Sequence, residues 1–122
     1  MKKDIQNIDD IKQLIDQFYA KVVGDTTIGF IFTDIFKVNW AKHLPVMYSF
    51  WENTLFYTGN YSGNPMIMHR KIHERVQLKP EQFERWVTLF CVTVDQLFEG
   101  EKAELAKQRA ESIATIMMVK IL

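Results

Sequence analysis

Four stretches of this chain repeat apolar residues three and four positions apart, a spacing that lines one face of an α-helix and does not suit a strand. The first runs through Ile8, Ile11, Leu14, Ile15, Phe18, Tyr19, Val22 and Val23. Asn7 or Asp9 is suited to cap its start, because a short polar side chain accepts from the free amides of a first turn. Gly24 is suited to close it in a left-handed turn. The second stretch, Trp40 to about Tyr57, sets Trp40, His43, Leu44, Met47, Phe50, Trp51 and Leu55 on one stripe, with Pro45 early enough to be tolerated. Pro80 and Glu81 open a third through Phe83, Trp86, Val87, Phe90, Val94 and Phe98. Gly100 separates it from a fourth over 101–122. The expected fold class is all-α.

Between these helices the pattern changes. Residues 25–39 combine Gly29, β-branched residues and the aromatics Phe30, Phe32 and Phe36, which reads as short helical turns docked on a core. The run Gly59-Asn60-Tyr61-Ser62-Gly63-Asn64-Pro65 is a loop by composition, and Pro65 is placed to open a short helix over Met66 to Arg75. Four long helices with so short a fifth between the second and third do not make a plain up-and-down bundle. Something is expected to fill the middle.

At 122 residues the chain is long enough for one core and too short for two, so a single domain spanning 1–122 is expected. Fifteen acidic and fifteen basic side chains cancel, which removes any general attraction for nucleic acid or an anionic membrane surface. Apolar residues are 48% of the chain, yet no run approaches the roughly 20 that a membrane span needs. The charged opening Met1-Lys2-Lys3-Asp4 does not resemble a cleaved leader, so a cytoplasmic location is expected. Cys91, the sole cysteine, allows neither an internal disulfide nor a cysteine zinc cluster, and its apolar neighbours suggest a buried thiol.

The chemistry-bearing residues stand on otherwise apolar faces. His69 and His73 are four apart on the short helix and project toward one side, where one could bind a metal; without a nearby carboxylate they make a poor zinc site. Either is equally readable as an ordinary histidine of a core or surface. Tyr19 ends the stripe of the first helix, and a tyrosine buried there ordinarily gives its hydroxyl to a backbone carbonyl. Trp51 and Trp86 read first as core. His43 lies one and two turns from Met47 and Phe50, aiming a titratable donor into an apolar interior, which is costly without a partner.

Several of these features recur together in one known family. Phe18-Tyr19, Ile31-Phe32, Trp40-Ala41-Lys42-His43, Phe50-Trp51, the 59–65 loop followed by His69, Phe83-Glu84-Arg85-Trp86 with Leu89-Phe90, and Gln108-Arg109-Ala110 with Ile113-Ala114 stand in the order of that family's landmarks. By them the chain resembles the group III truncated haemoglobins over nearly its whole length. The resemblance implies a truncated globin fold, a two-over-two helical sandwich around haem b (iron protoporphyrin IX). It implies His69 as the iron ligand. Counting back from Trp86 selects His73 instead, because the stretch between is about one helical turn longer than in some relatives; the spacing from Pro65 and Phe50-Trp51 favours His69. Tyr19, His43 and Trp86 would surround the gas ligand, and Phe32, Met47 and Phe50 would wall the pocket.

A proximal imidazole leaves the iron's sixth position open to a diatomic gas such as O2, NO or CO. Dioxygen held there carries partial negative charge, so the Tyr19 hydroxyl and the Trp86 indole N–H would strengthen binding and slow release. His43 would either gate access by swinging outward, a motion that acid favours because imidazole titrates near neutrality, or bind the iron itself. The expected function is gas binding for scavenging, sensing or storage. The alternative is a redox enzyme, a nitric oxide dioxygenase or a peroxidase-like one, drawing electrons from an external reductase. A haem-free helical interaction domain is the third reading.

Overall fold

The computed structural model of the chain describes residues 2–35, 37–59 and 78–121, and all regular structure among them is helical. In chain order these elements are α1 (Ile8–Val23), a five-residue π-helix (Ile31–Ile35), α2 (Trp40–Phe56), α3 (Pro80–Leu97) and α4 (Glu101–Ile121). The expected short helix over 66–75, with His69 and His73, lies outside the described residues.

Helix α1 buries Ile11, Leu14, Ile15, Phe18, Tyr19 and Val22 of the stripe anticipated from their spacing, while Ile8 at its start is only partly buried and Val23 at its end is exposed. Of the two candidate caps it uses Asn7, whose side-chain oxygen accepts from the Asp10 amide at 3.0 Å. Its closing residue, Gly24, is right-handed instead of left-handed. The reversal is made one residue later by Asp25, whose carboxylate accepts from the amides of Thr27 and Ile28 and whose carbonyl accepts from Gly29. Gly29 must be small: a Cβ there would lie 2.8 Å from the carbonyl oxygens of both Val22 and Val23.

The stretch anticipated as short turns contains the π-helix, a wide turn often found beside functional sites. The Phe32 carbonyl accepts from the Val38 amide at 2.9 Å, and Thr33 Oγ1 donates to the Gly29 carbonyl. This holds Phe32 against α1. Helix α2 then starts at Trp40, carries Pro45 in its second turn and closes on a left-handed Tyr57 (φ 56°). Asn53 accepts from Tyr57 through its carbonyl and from Gly59 through its side chain.

Helix α3 opens with Pro80, where a missing amide hydrogen costs nothing, and the Gln82 side chain accepts from the Lys79 amide. The start of α4 is capped from across the molecule. The Asp4 carboxylate accepts from the amides of Lys102 and Ala103, each at 2.9 Å. Gly100 (φ 146°) makes room for it, since a Cβ there would sit 2.5 Å from Asp4 Cγ. Burial pushes the Asp4 pKa up, but the three amides of Lys102, Ala103 and Ile5, with the Lys102 charge, outweigh it and hold the carboxyl below its usual value.

Helix α1 packs on α2 and α3, α3 on α4, and α2 on α4. The buried face of α4 is Ala103, Ala106, Ala110, Ala114 and Met117, small residues that let its neighbours come close. Phe18, Phe90, Leu14, Ile15, Leu55 and Val94 form the sealed centre, each contributing about 2–3 kcal/mol by leaving water. Cys91 is half-buried, not fully buried as its neighbours suggested, because it sits on the flank of α3 away from that centre; burial still pushes its thiol pKa up. Among the described residues no helix is long and apolar enough to cross a membrane.

Candidate functional site

Tyr19 is the last large side chain on the buried face of α1, and three rings from two other elements close around it. Its ring centroid is 5.2 Å from that of His43, 5.2 Å from Trp40 and 6.1 Å from Phe32. The helical repeat explains the pairing on α2: Trp40 and His43 are three apart and share a face, edge to face at 5.6 Å. Phe32 stacks on Trp40 at 6.2 Å, held there by the π-helix.

Trp86 joins through Phe18, which touches Tyr19 at 4.9 Å and meets the Trp86 ring edge-on at 5.7 Å. Phe50 joins further back, through Trp51 at 5.4 Å and then Phe90 at 4.5 Å. Met47 packs on the same core cluster. Tyr19, Phe32 and His43 therefore meet in one ring cluster, Trp86 and Phe50 reach it only through intervening core rings, and Met47 packs on the core; His69 and His73 lie outside the described residues. The expectation that Trp51 is core holds, at 3% exposure. In the sequence Trp40 stands out only as part of a helical stripe and of the Trp40-Ala41-Lys42-His43 landmark, yet it touches three members of the cluster. Its spacing from His43 was the signal.

Burial alone pushes the Tyr19 hydroxyl well above its ordinary pKa of 10, with no hydrogen bond contributing. The carbonyl partner that a buried tyrosine ordinarily finds is absent among the described residues. Nε2 of His43 is also buried. Phe32, Met47, Phe50 and Trp86 pack against the core but stay only partly buried, so they keep apolar faces uncovered. Trp86 is further steadied by its neighbour Arg85, whose guanidinium forms 2.8 Å contacts with Asp25 and ties α3 to the end of α1. Among the described residues no group of three or more histidines, cysteines or carboxylates is arranged to hold a metal ion.

No family model matches the chain. The group 3 truncated hemoglobin ctb of Campylobacter jejuni is 30% identical over 118 residues, which is 94% of this chain and 91% of that protein. The chain belongs to the group 3 truncated haemoglobins. A crystal structure of a group III truncated hemoglobin from Campylobacter jejuni matches this truncated haemoglobin with a TM-score of 0.87 and 28% identity, over 100% of this chain and 96% of that one. The four long helices thus form an all-α truncated globin fold. In this truncated haemoglobin α1 carries Tyr19, α2 carries His43, Met47 and Phe50, and α3 carries Trp86.

Proposed function

We propose that residues 1–122 form one cytoplasmic domain that holds haem b through His69 and binds O2 or another diatomic gas for scavenging, sensing or storage. One observation carries the reading: the Tyr19 ring is buried among those of Phe32, Trp40 and His43, and among the described residues its hydroxyl has no hydrogen-bond acceptor. A hydroxyl that the surrounding rings do not engage is available to donate its proton to a ligand. The uncovered faces of Phe32, Met47, Phe50 and Trp86 suit the flat apolar body of haem.

Haem, when bound, supplies the iron position at which a diatomic gas coordinates. The chain's own part is to shape the space beside it. With a gas held there, Tyr19 Oη would donate to its partly negative end, and the Trp86 indole N–H would be a second donor. Phe32, Phe50 and Met47 exclude water, so each hydrogen bond acts in a low dielectric and gains strength. His43, in contact with Tyr19, guards the way in. Electrons that keep the iron ferrous would come from a separate reductase.

Titrating hemin into the purified chain tests the reading. It expects a Soret band that saturates at one haem per chain. A chain that leaves hemin's free spectrum unchanged rejects it.

A further inference from the structure

Trp40 occupies a position that gas binding alone does not explain. It is the first residue of α2, on the same face as His43 one turn later. Two rings meet the His43 imidazole at steep angles: Tyr19 at 5.2 Å and 78°, and Trp40 at 5.6 Å and 75°. Trp40 also leans on Tyr19 at 5.2 Å and lies nearly parallel to Phe32, at 22°. The four rings form a closed set, and Trp40 touches all three of the others.

The backbone fixes this arrangement from both sides. Val38, two residues before Trp40, donates to the Phe32 carbonyl, and the Asn39 carbonyl accepts from the amides of Lys42 and His43 at 3.0 and 2.9 Å. The entrance to α2 is therefore tied to the π-helix on one side and to the His43 backbone on the other. Neither end leaves Trp40 free to drift.

We infer that Trp40 is a positioning residue that holds the His43 imidazole inward against Tyr19, and that it thereby sets how fast a gas enters the pocket. The inference rests on the gas-binding reading above and adds a determinant to it. An outward swing of His43 breaks its contacts with both Trp40 and Tyr19, and of these two the Trp40 contact can be removed without touching the donor to the gas. One edge-to-face aromatic contact shifts a two-state population roughly two- to tenfold. Losing the indole therefore raises the outward fraction of His43 by that factor.

The test uses the full chain as purified, with Trp40→Leu, the conservative Trp40→Phe, and Trp40→Leu combined with His43→Ala. Two quantities are read: the NMR shift of the His43 ring protons, which the flanking rings displace, and the CO association rate after flash photolysis. Trp40→Leu should move the His43 signal toward that of a solvent-exposed imidazole and raise the CO rate roughly two- to tenfold. Trp40→Phe should fall between Trp40→Leu and wild type. In the His43→Ala background the rate effect of Trp40→Leu should vanish. An unmoved His43 signal, or a rate effect that survives without His43, overturns the inference. Should Trp40→Leu not fold, Trp40→Phe decides by the same two readings. Should the chain take up no haem, the gas-binding reading falls, while the NMR shift still tests whether Trp40 holds His43.

Discussion

Replacing Tyr19 by Phe removes one oxygen atom and leaves the ring in place against Phe18, Phe32, Trp40 and His43. Two outcomes follow from the structure, and they point in opposite directions. Among the described residues no hydrogen bond of the hydroxyl is lost, so stability should hold or rise by up to about 1 kcal/mol. In a chain of this size that is an increase in Tm of at most about 4 °C. Gas release should behave otherwise. A hydrogen bond to a charged group contributes about 1.5–3 kcal/mol. At 1.4 kcal/mol per tenfold, its loss speeds O2 dissociation roughly 10- to 150-fold. Stopped-flow displacement of O2 by CO measures the rate, and thermal unfolding followed by circular dichroism measures stability. Dissociation within twofold of wild type, or a loss of stability beyond 1 kcal/mol, would show that the hydroxyl serves the fold and not the gas.

Four further outcomes concern the frame around the pocket. Asp4→Ala frees the first amides of α4 and should cost about 1–2 kcal/mol in urea unfolding. Asp4, Asp10 and Asp25 all ionise more readily in the folded chain than at their usual 3.8, each because amide and cation partners outweigh burial. Their stabilisation is therefore complete above that value and disappears as pH falls below the folded values; Asp4→Asn should shallow the loss of stability between pH 4 and pH 2. Gly29→Ala forces a Cβ to within 2.8 Å of two carbonyl oxygens and should cost about 1–3 kcal/mol by the same assay. Phe90→Ala empties the centre between Phe18, Trp51 and Trp86 and should cost about 3–5 kcal/mol.

Local pattern carried much of this structure. The buried apolar residues of α1 all belong to the run that recurs at helical spacing, and Trp40, Pro80 and Gly100 mark boundaries that the chain respects. Tyr19, Phe32 and His43 meet as anticipated because each lies on the inner face of its element. What escaped local pattern depends on residues far apart in the chain. Nothing near Glu101 announces that its helix is capped by Asp4, 98 positions before Lys102. The right-handed Gly24 follows from the Asp25 turn beyond it, and the π-helix follows from Val38 reaching back to Phe32. In the sequence Trp40 is one position of a seven-residue stripe. Only the approach of α1 and the π-helix makes it the ring that all its neighbours share.

The account depends most on which imidazole grasps the iron. Iron–histidine stretching in the resonance Raman spectrum of the ferrous protein reports that bond directly, and His69→Ala and His73→Ala separate the two candidates. The account predicts that His69→Ala abolishes the band, that added free imidazole restores a five-coordinate spectrum, and that His73→Ala keeps the band. A band that survives without His69 and vanishes without His73 would contradict it.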